Sequence, residues 1–184
     1  MTLPIVLIGP MSAGKSTVGG ELAKLTGCRQ VPMDFICWYY YFQKGYSLEK
    51  EDTMMSKLEV TNYLRKYQLY ALENAIIDFK DSIIDFGAGH SYYTEVDQIE
   101  RAKKAFNDIK NIFLLLPSKN EEETSKICFE RLKSRKGLEY AESTFQMNNE
   151  FIKCKSNKIL ADHIIYENGR TPQEIALEIK ELLS

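Results

Sequence analysis

Length, composition and charge narrow the class of protein. The 184 residues suffice for one domain with a sizeable core, and 44% apolar with 27% charged residues describe an ordinary soluble globule. The chain has 24 basic and 26 acidic residues, so its formal net charge is only -2. No overall electrostatic field therefore favours binding to nucleic acid or to an anionic membrane. No run approaches the roughly 18 apolar residues of a membrane span, and Met1 leads into a strand-like run without a cleavable leader. We expect a cytoplasmic protein that binds neither nucleic acid nor membrane.

Short β-rich runs alternate with longer helical stretches. The runs predict five strands, at Leu3–Ile8, Arg29–Met33, Ser82–Phe86, Asn111–Leu116 and Asp162–Tyr166. Strands joined by helices pair in parallel through right-handed crossovers, so the pattern predicts an α/β fold, a three-layer sandwich with a five-stranded parallel sheet in a single domain. Ligands of such folds bind at the carboxyl ends of strands. Four residues of interest fall at those ends: Gly9, Asp34, Asp85 and Pro117.

The first strand leads into residues 9–17, which match G-x-x-x-x-G-K-[ST] at every fixed position. Glycines at both ends allow turns that point successive backbone N–H groups at phosphates. Lys15 adds charge for the β- and γ-phosphates, Ser16 can ligate Mg²⁺, and the following helix N-terminus favours an anion. A chance glycine turn is the alternative, but the strand before the motif and the amphipathic helix after it favour a phosphate-binding loop. The motif predicts ATP and Mg²⁺ as cofactors, bound by Gly9, Ser12, Ala13, Gly14, Lys15, Ser16 and Thr17.

Asp34 follows the second strand and is the first candidate for chemistry. A carboxylate there can accept a proton from a substrate hydroxyl or hold a magnesium-bound water. The alternative role is the N-cap of the next helix, and the sequence leaves both open. Five aromatic residues follow, Trp38 to Phe42, and five consecutive side chains cannot all face one side of a helix. Some of them must line a cleft or an interface.

The third strand ends in Asp85, as a Walker-B carboxylate would. This makes Asp85 a second candidate magnesium ligand beside Ser16, the alternative being a polar residue that merely ends a strand. The turn Gly87-Ala88-Gly89 would bring backbone close to a substrate. His90 comes next, and a histidine in a turn is more often a surface or hydrogen-bonded residue than a ligand contact.

A helical run after Pro117 ends in several basic residues. Arg131 and Arg135 are four apart and share one helix face, so both can reach over transferring phosphates as charge-neutralising clamps. The alternative is that basic residues in a last helical turn are favoured by the helix dipole alone.

In order and spacing, these features resemble the shikimate kinase family, within the nucleoside-monophosphate-kinase-like group of P-loop kinases. The resemblance implies a P-loop kinase fold with a small helical lid at about residues 118–150. It also implies that Asp34 holds the acceptor hydroxyl, that Arg65 faces it across the cleft and pairs with a substrate carboxylate, and that residues 168–171 border the adenine. By the same resemblance, the turn at Gly87, Ala88 and Gly89 contacts the substrate.

The chain departs from the family pattern at several places. The first acid of D-x-D is Pro32, and the F-R-x-x-E motif keeps Arg65 but has Gln68 for its acid. The R-P-L-L lid signature is absent, and a later substrate-binding arginine is replaced near Lys153. Each change weakens the assignment of shikimate as substrate.

Together the motifs predict an ATP-dependent kinase that transfers the γ-phosphoryl group to a hydroxyl of a small metabolite, acting as a monomer or homodimer. The candidate catalytic residues are Lys15, Asp34, Arg131 and Arg135. One alternative is a nucleoside or nucleotide kinase, because aromatic side chains can stack a base. Another is a nucleotide-dependent switch or binding module that hydrolyses ATP slowly. The four cysteines, far apart and without a C-x-x-C pair, are expected to be buried or idle thiols: Cys28, Cys37, Cys128 and Cys154.

Overall fold

The computed structural model describes residues 3–183, apart from the side chains of residues 57 and 58. Its strands are β1 (Ile5–Ile8), β2 (Arg29–Pro32), β3 (Ser82–Asp85), β4 (Ile112–Leu116) and β5 (His163–Tyr166). Its helices are α1 (Lys15–Thr26), α2 (Met33–Gln43), α3 (Leu48–Asp52), α4 (Lys57–Asp78), α5 (Val96–Ala105), α6 (Glu121–Lys136), α7 (Leu138–Lys153), α8 (Lys155–Leu160) and α9 (Pro172–Leu182). A short 3-10 helix covers Ala88–Ser91.

The five strands form one parallel sheet in the order β2-β3-β1-β4-β5. The predicted α/β sandwich and its five strands are thus confirmed. Asp85, at the end of β3, pairs in register with Leu7 of β1 and Pro32 of β2. This register places the carboxyl ends of all three strands, and the residues that follow them, at the same edge of the sheet.

Successive side chains of a strand point to opposite faces of the sheet, so both faces carry apolar residues. Ile5 and Leu7 pack with buried residues of α1 and α9, whereas Val6 and Ile8 pack with buried residues of α2, α4, α5 and α8. The sheet is therefore covered on both sides, as parallel sheets require. These two cores hold the strand ends in place, and the candidate site lies at those ends.

Two helices, α3 and α4, follow the aromatic residues of α2. Ser47 begins α3, where its side chain accepts a hydrogen bond from the backbone N–H of Lys50. Ser56 begins α4 in the same way, accepting from the N–H of Glu59, whose carboxylate in turn accepts from the N–H of Met55. The second cap starts a new helix because it satisfies backbone groups that a continuous helix would have bonded internally.

The region predicted to form a lid is an antiparallel pair of helices, α6 and α7. Asn120 caps α6 by accepting from the N–H of Glu123 at 2.9 Å. Gly137 joins the two helices at φ 92°, in backbone conformation that favours glycine. Phe129 and Phe145 pack edge to face across the pair, with centroids 5.5 Å apart.

No helix within residues 3–183 has both the length and the apolar composition that crossing a membrane requires. Cys37 and Cys128 are buried, Cys28 and Cys154 are partly buried, and all four are free thiols. These positions agree with the expectation drawn from their spacing.

Candidate functional site

A cleft of about 510 Å³ opens at the carboxyl ends of the strands. Its volume lies in the range of small-molecule sites. Most of the residues singled out from the sequence line it: Ser12, Ala13, Gly14, Lys15, Ser16, Thr17, Asp34, Gly87, Ala88, Gly89 and Arg135. The fold therefore brings the phosphate-binding motif, the candidate carboxylate and the glycine turn together around one space.

Residues 9–14 form the loop that the motif predicts, and α1 begins at Lys15. Gly9 and Gly14 have φ of 142° and 83°, and a Cβ on Gly9 would lie 2.5 Å from the carbonyl oxygen of Leu115. Only glycine fits at Gly9, since β4 passes directly behind it. The backbone of the loop is thus held in its curved form by the neighbouring strand.

Lys15 is folded into this loop. Its Nζ donates hydrogen bonds to the carbonyl oxygens of Gly9 at 2.8 Å and Pro10 at 2.7 Å. Burial lowers the pKa of Lys15 below its usual value, while the carboxylates of Asp34 and Asp85 act in the opposite direction. The ammonium group is therefore already positioned inside the loop that would surround the phosphates.

Ser16 and Asp85 lie in contact, as a shared role in metal binding requires. Ser16 Oγ donates to Asp85 Oδ1 at 3.0 Å. A hydroxyl and a carboxylate are oxygen donors of the kind that Mg²⁺ takes, and Mg²⁺ in such sites obtains its remaining ligands from phosphates and water. In the described part of the chain, no cluster of three or more His, Cys, Asp or Glu could hold a metal alone. The pair fits a magnesium ion that arrives with a nucleotide.

Gln30 is a contributor that the sequence analysis missed. Its Nε2 donates to Asp85 Oδ2 at 2.5 Å and to the carbonyl oxygen of Ser16 at 2.9 Å. Burial raises the pKa of Asp85, and the hydrogen bonds from Gln30 and Ser16 oppose that shift. A Cβ on Gly19 would lie 2.8 Å from Nε2 of Gln30. The glycine therefore leaves room for this amide to reach the carboxylate.

Asp34 lies in the first turn of α2 and faces the cleft. The N-cap position of that helix belongs to Pro32, so the capping alternative for Asp34 does not hold. Oδ1 of Asp34 packs so closely on Gly87 that any Cβ at that position would collide with it. The carboxylate and the glycine turn are thus in direct contact, and the carboxylate is accessible from the cleft.

His90 ties the glycine turn to α2. Its ring is buried, with Nδ1 3.3 Å from the carbonyl oxygen of Gly87 and Nε2 3.1 Å from the hydroxyl of Tyr41. Burial lowers the pKa of His90 to about 4, so the ring is neutral. Because a carbonyl only accepts, Nδ1 carries the proton and Nε2 accepts from Tyr41. Both ring nitrogens are engaged, and sequence inspection alone could not identify this role.

The aromatic run divides between core, cleft and surface. Tyr40 and Tyr41 are buried, and Tyr41 also lines the cleft together with Trp38, which is 40% exposed. Tyr39 and Phe42 face outward. The inference that some of the five must line a cleft or an interface is confirmed for the cleft.

Arg65 lies against Tyr92 and Thr94, outside the lining of the cleft. Its guanidinium packs over the ring of Tyr92, with Cζ 4.6 Å from the centroid, and Nη1 donates to Thr94 Oγ1 at 2.5 Å. The side chain is only 8% exposed and does not line the cleft. The pairing of Arg65 with a substrate carboxylate therefore stays a prediction. The aromatic ring and the hydroxyl contact the guanidinium instead, but its buried Nε has no hydrogen-bond partner among the described residues. Gln68 stands in the place of the family's nearby acid.

The two lid arginines lie beside the phosphate-binding loop. Arg135 Nη2 donates to Ser12 Oγ at 3.2 Å, and Arg131 Nη1 donates to the carbonyl oxygen of Ser12 at 3.2 Å. Arg131 also forms an ion pair of 2.6 Å with Glu167, a buried residue that the sequence analysis did not single out. A Cβ on Gly14 would lie 2.6 Å from Glu167 Oε1, so this carboxylate borders the loop as well.

A second cavity of about 300 Å³ opens on this side of the loop. Of the residues expected to border an adenine, Arg170 lines it. The guanidinium of Arg170 is fixed by the carbonyl oxygen of Tyr166 and by Glu178. Lys153, near which the later arginine of the family was sought, is exposed and lines neither cavity.

No family model and no curated relative matches the sequence. Solved structures do match in shape. The shikimate kinase from Acinetobacter baumannii, in complex with shikimate, aligns with a TM-score of 0.64 at 21% identity over 97% of this chain and 91% of its own. The shikimate kinase from Bacteroides thetaiotaomicron aligns with a TM-score of 0.61 at 18% identity over 100% and 99%.

A gluconokinase from Sinorhizobium meliloti aligns with a TM-score of 0.56 at 14% identity, over 97% of this chain and 91% of its own. Identities this low establish shared architecture and leave substrates open. The alignments nevertheless cover nearly the whole length of each chain. The chain therefore has the shikimate kinase-like P-loop kinase fold.

Proposed function

We propose that this protein is an ATP-dependent kinase that transfers the γ-phosphoryl group to a hydroxyl of a small metabolite. One observation carries the proposal. The phosphate-binding loop and the carboxylate of Asp34 open into the same cleft, which is large enough for a small acceptor. A loop that only bound and slowly hydrolysed a nucleotide would not require a carboxylate facing an acceptor space.

Phosphoryl transfer depends mainly on positioning and charge neutralisation. The backbone of residues 9–17 and Lys15 would hold the phosphates, and Arg131 and Arg135 would neutralise charge as it shifts. Ser16 and Asp85 would hold Mg²⁺, which supplies further neutralisation when bound. Asp34 would orient the acceptor hydroxyl and accept its proton.

A nucleoside kinase is a second candidate, supported by Trp38 and Tyr41 on the acceptor side of the cleft. Aromatic rings there can stack against a base. Shikimate itself is less well supported, because Arg65 is engaged with Tyr92 and Thr94 rather than with the cleft. In the family that the chain resembles, that arginine would pair with the substrate carboxylate.

The test is phosphorylation of a metabolite panel with ATP and Mg²⁺, with products identified by mass. We expect at least one hydroxyl compound to be phosphorylated faster than ATP is hydrolysed, because closure over an acceptor excludes water. Asp34→Asn should lower kcat for that compound by a hundredfold or more, roughly the contribution of a general base. Slow hydrolysis alone across a broad panel, unaffected by Asp34→Asn, would favour the nucleotide-dependent switch.

A further inference from the structure

The acceptor end of the cleft is formed by one face each of three helices. From α7 come Tyr140, Thr144, Met147 and Phe151, which are spaced by three or four residues and so share one side of the helix. From α4 come Val60, Thr61, Leu64 and Gln68, and from α2 come Asp34, Cys37, Trp38 and Tyr41. Apart from Asp34, the side chains that these helices contribute here are apolar or uncharged polar groups.

The nearby arginine is held away from this space by its own contacts. The guanidinium of Arg65 has a ring beneath it and a hydroxyl acceptor, Tyr92 and Thr94, and the side chain is buried. Turning it toward a substrate carboxylate would break a cation–π contact and a charge-assisted hydrogen bond. An anionic acceptor would therefore gain the charge of Arg65 only at the cost of those contacts, while Asp34 in the cleft would repel it.

Gln68 instead offers the cleft an uncharged pair of hydrogen-bonding groups. Its amide packs directly on Gly89, where any Cβ would collide with Nε2. Among the described residues, the amide has no hydrogen-bond partner, and the side chain lines the cleft. A carbonyl oxygen and an NH₂ side by side suit hydroxyl groups, which both donate and accept.

Trp38 supplies the remaining feature, an apolar surface in a fixed orientation. Its ring meets the rings of Tyr41 and Tyr46 edge-on, each with centroids 5.4 Å apart. With the ring held from two sides and still 40% exposed, its free surface is preorganised for the C–H face of a sugar ring or for a base.

From these groups we infer that the acceptor is an uncharged hydroxylated ring, either a free sugar or cyclitol or the ribose of a nucleoside. One hydroxyl lies against Asp34, the neighbouring hydroxyls bond to the amide of Gln68, and the ring lies against Trp38. The inference rests on the proposed kinase function and narrows its acceptor. Phosphorylation of an anionic hydroxy acid is the competing reading.

Binding can be measured without turnover because Trp38 is the single tryptophan of the sequence. With ADP and Mg²⁺ present, its fluorescence is titrated with pairs that differ in charge: glucose with glucuronate, and the methyl ester of shikimate with shikimate. Uridine tests the nucleoside source. We expect a saturable change with glucose, the ester or uridine, and binding at least about tenfold tighter than that of the matched acid, since the acid would meet the like charge of Asp34 while Arg65 is engaged by Tyr92 and Thr94.

Two variants test the residues. Gln68→Leu should weaken binding of the uncharged compound about fivefold to twentyfold, as expected for one or two lost hydrogen bonds, whereas Gln43→Leu, at an exposed position outside the cleft, should not. Arg65→Gln should leave the preference for the uncharged member unchanged. Circular dichroism of each variant separates loss of binding from loss of fold.

If the acids bind more tightly and Arg65→Gln removes that preference, the inference is overturned, and Arg65 pairs with the carboxylate of the acid. An absence of saturable change with every uncharged compound, while an acid binds, would also overturn it. If nothing on the panel is phosphorylated, the kinase proposal fails, but the fluorescence titration still decides between an uncharged and an anionic ligand for the cleft. The source, free sugar or nucleoside, follows from which compound binds.

Discussion

At the scale of single residues, the site depends on side chains that position others. Gln30 holds the carboxylate of Asp85 against Ser16, and His90 holds the turn at Gly87 against Tyr41. Neither needs to touch a reacting atom. Their effects should therefore appear in metal dependence and in stability rather than in the chemical step alone.

For Gln30, we expect Gln30→Leu to weaken magnesium-dependent nucleotide binding by roughly tenfold, because the carboxylate loses a charge-assisted hydrogen bond that orients it. Nucleotide binding without Mg²⁺ should change little. Calorimetric titration of ADP with and without Mg²⁺ measures both. An equal loss in the two titrations would mean that Gln30 supports the fold of the loop and not the metal site.

For His90, the pH dependence of stability follows from its lowered pKa. The unfolded state takes up a proton as pH falls below about 6.5, whereas the folded ring, at about 4, stays neutral, so the protein is stabilised above pH 6.5 and loses that stability as pH falls toward 4. Burial is the main cause; Asp34 opposes it and Lys15 adds to it. Between pH 7 and pH 5 the loss is roughly 2 kcal/mol.

Urea unfolding at the two pH values, compared between the wild type and His90→Gln, isolates this contribution. The variant lacks the titrating ring, so its free energy of unfolding should fall less over the same interval. Carboxylates that titrate in both proteins cancel in the comparison. Parallel pH profiles for the two proteins would show that His90 is protonated as readily in the folded state as in the unfolded one.

At the scale of elements, α6 packs one face against the protein and carries two cations beside the loop. Leu132 and Cys128 anchor its inner face, and Arg131 and Arg135 extend from the adjoining positions toward Ser12. The spacing of four residues, visible in the sequence, is what lets both guanidinium groups reach the same loop. Of the other basic residues in the last turn, Lys136 lines the cleft and Lys133 pairs with Glu130.

This arrangement makes Arg135 separable from its neighbours by mutation. Arg135→Ala should lower kcat/KM for ATP by about tenfold to a hundredfold, the loss expected for a charge-assisted contact to phosphate. Lys133→Ala is the matched control, since Lys133 is an exposed cation of the same helix that pairs with Glu130. Steady-state kinetics of the two variants give the comparison. Equal losses would indicate a general effect of helix charge, as the helix-dipole alternative holds.

At the scale of the whole molecule, the loop joins β1 to α1 in the centre of the sheet, so nucleotide binding should stabilise the entire fold. At a nucleotide concentration of a hundred times Kd, the free energy of unfolding should rise by about 2.7 kcal/mol. Lys15→Ala should remove most of this gain, because the loop loses its ammonium group.

Thermal unfolding with and without ATP and Mg²⁺ measures the gain for both proteins. Lys15→Ala should also abolish nucleotide turnover. The variant should remain folded without nucleotide, since the Lys15 side chain of the wild type bonds to loop carbonyls and does not pack in the hydrophobic core. A variant that is stabilised as strongly as the wild type would argue against nucleotide binding at this loop.

The sequence predicted the strands, the sheet and the loop because their signals are local. Apolar runs of four or five residues and two glycines at fixed spacing require no knowledge of distant contacts. The contacts of Gln30 and Glu167 could not be predicted in this way, since their partners, Asp85 and Arg131, lie 55 and 36 residues away. For Arg65 the motif placed the residue on the right helix. Its direction was decided by Tyr92, which no motif identifies.

One rigid element carries both chemistry and recognition. Asp34, Trp38 and Tyr41 occupy successive turns of α2, and Tyr41 anchors that helix to His90. A substitution in α2 that tilts the helix must alter the proton acceptor and the ring surface at once, so kcat and KM would change together. The faces of α4 and α7 line the cleft but carry no candidate catalytic residue. Descendants of this protein could therefore evolve toward new acceptors most readily through those two helices, with the catalytic carboxylate left undisturbed.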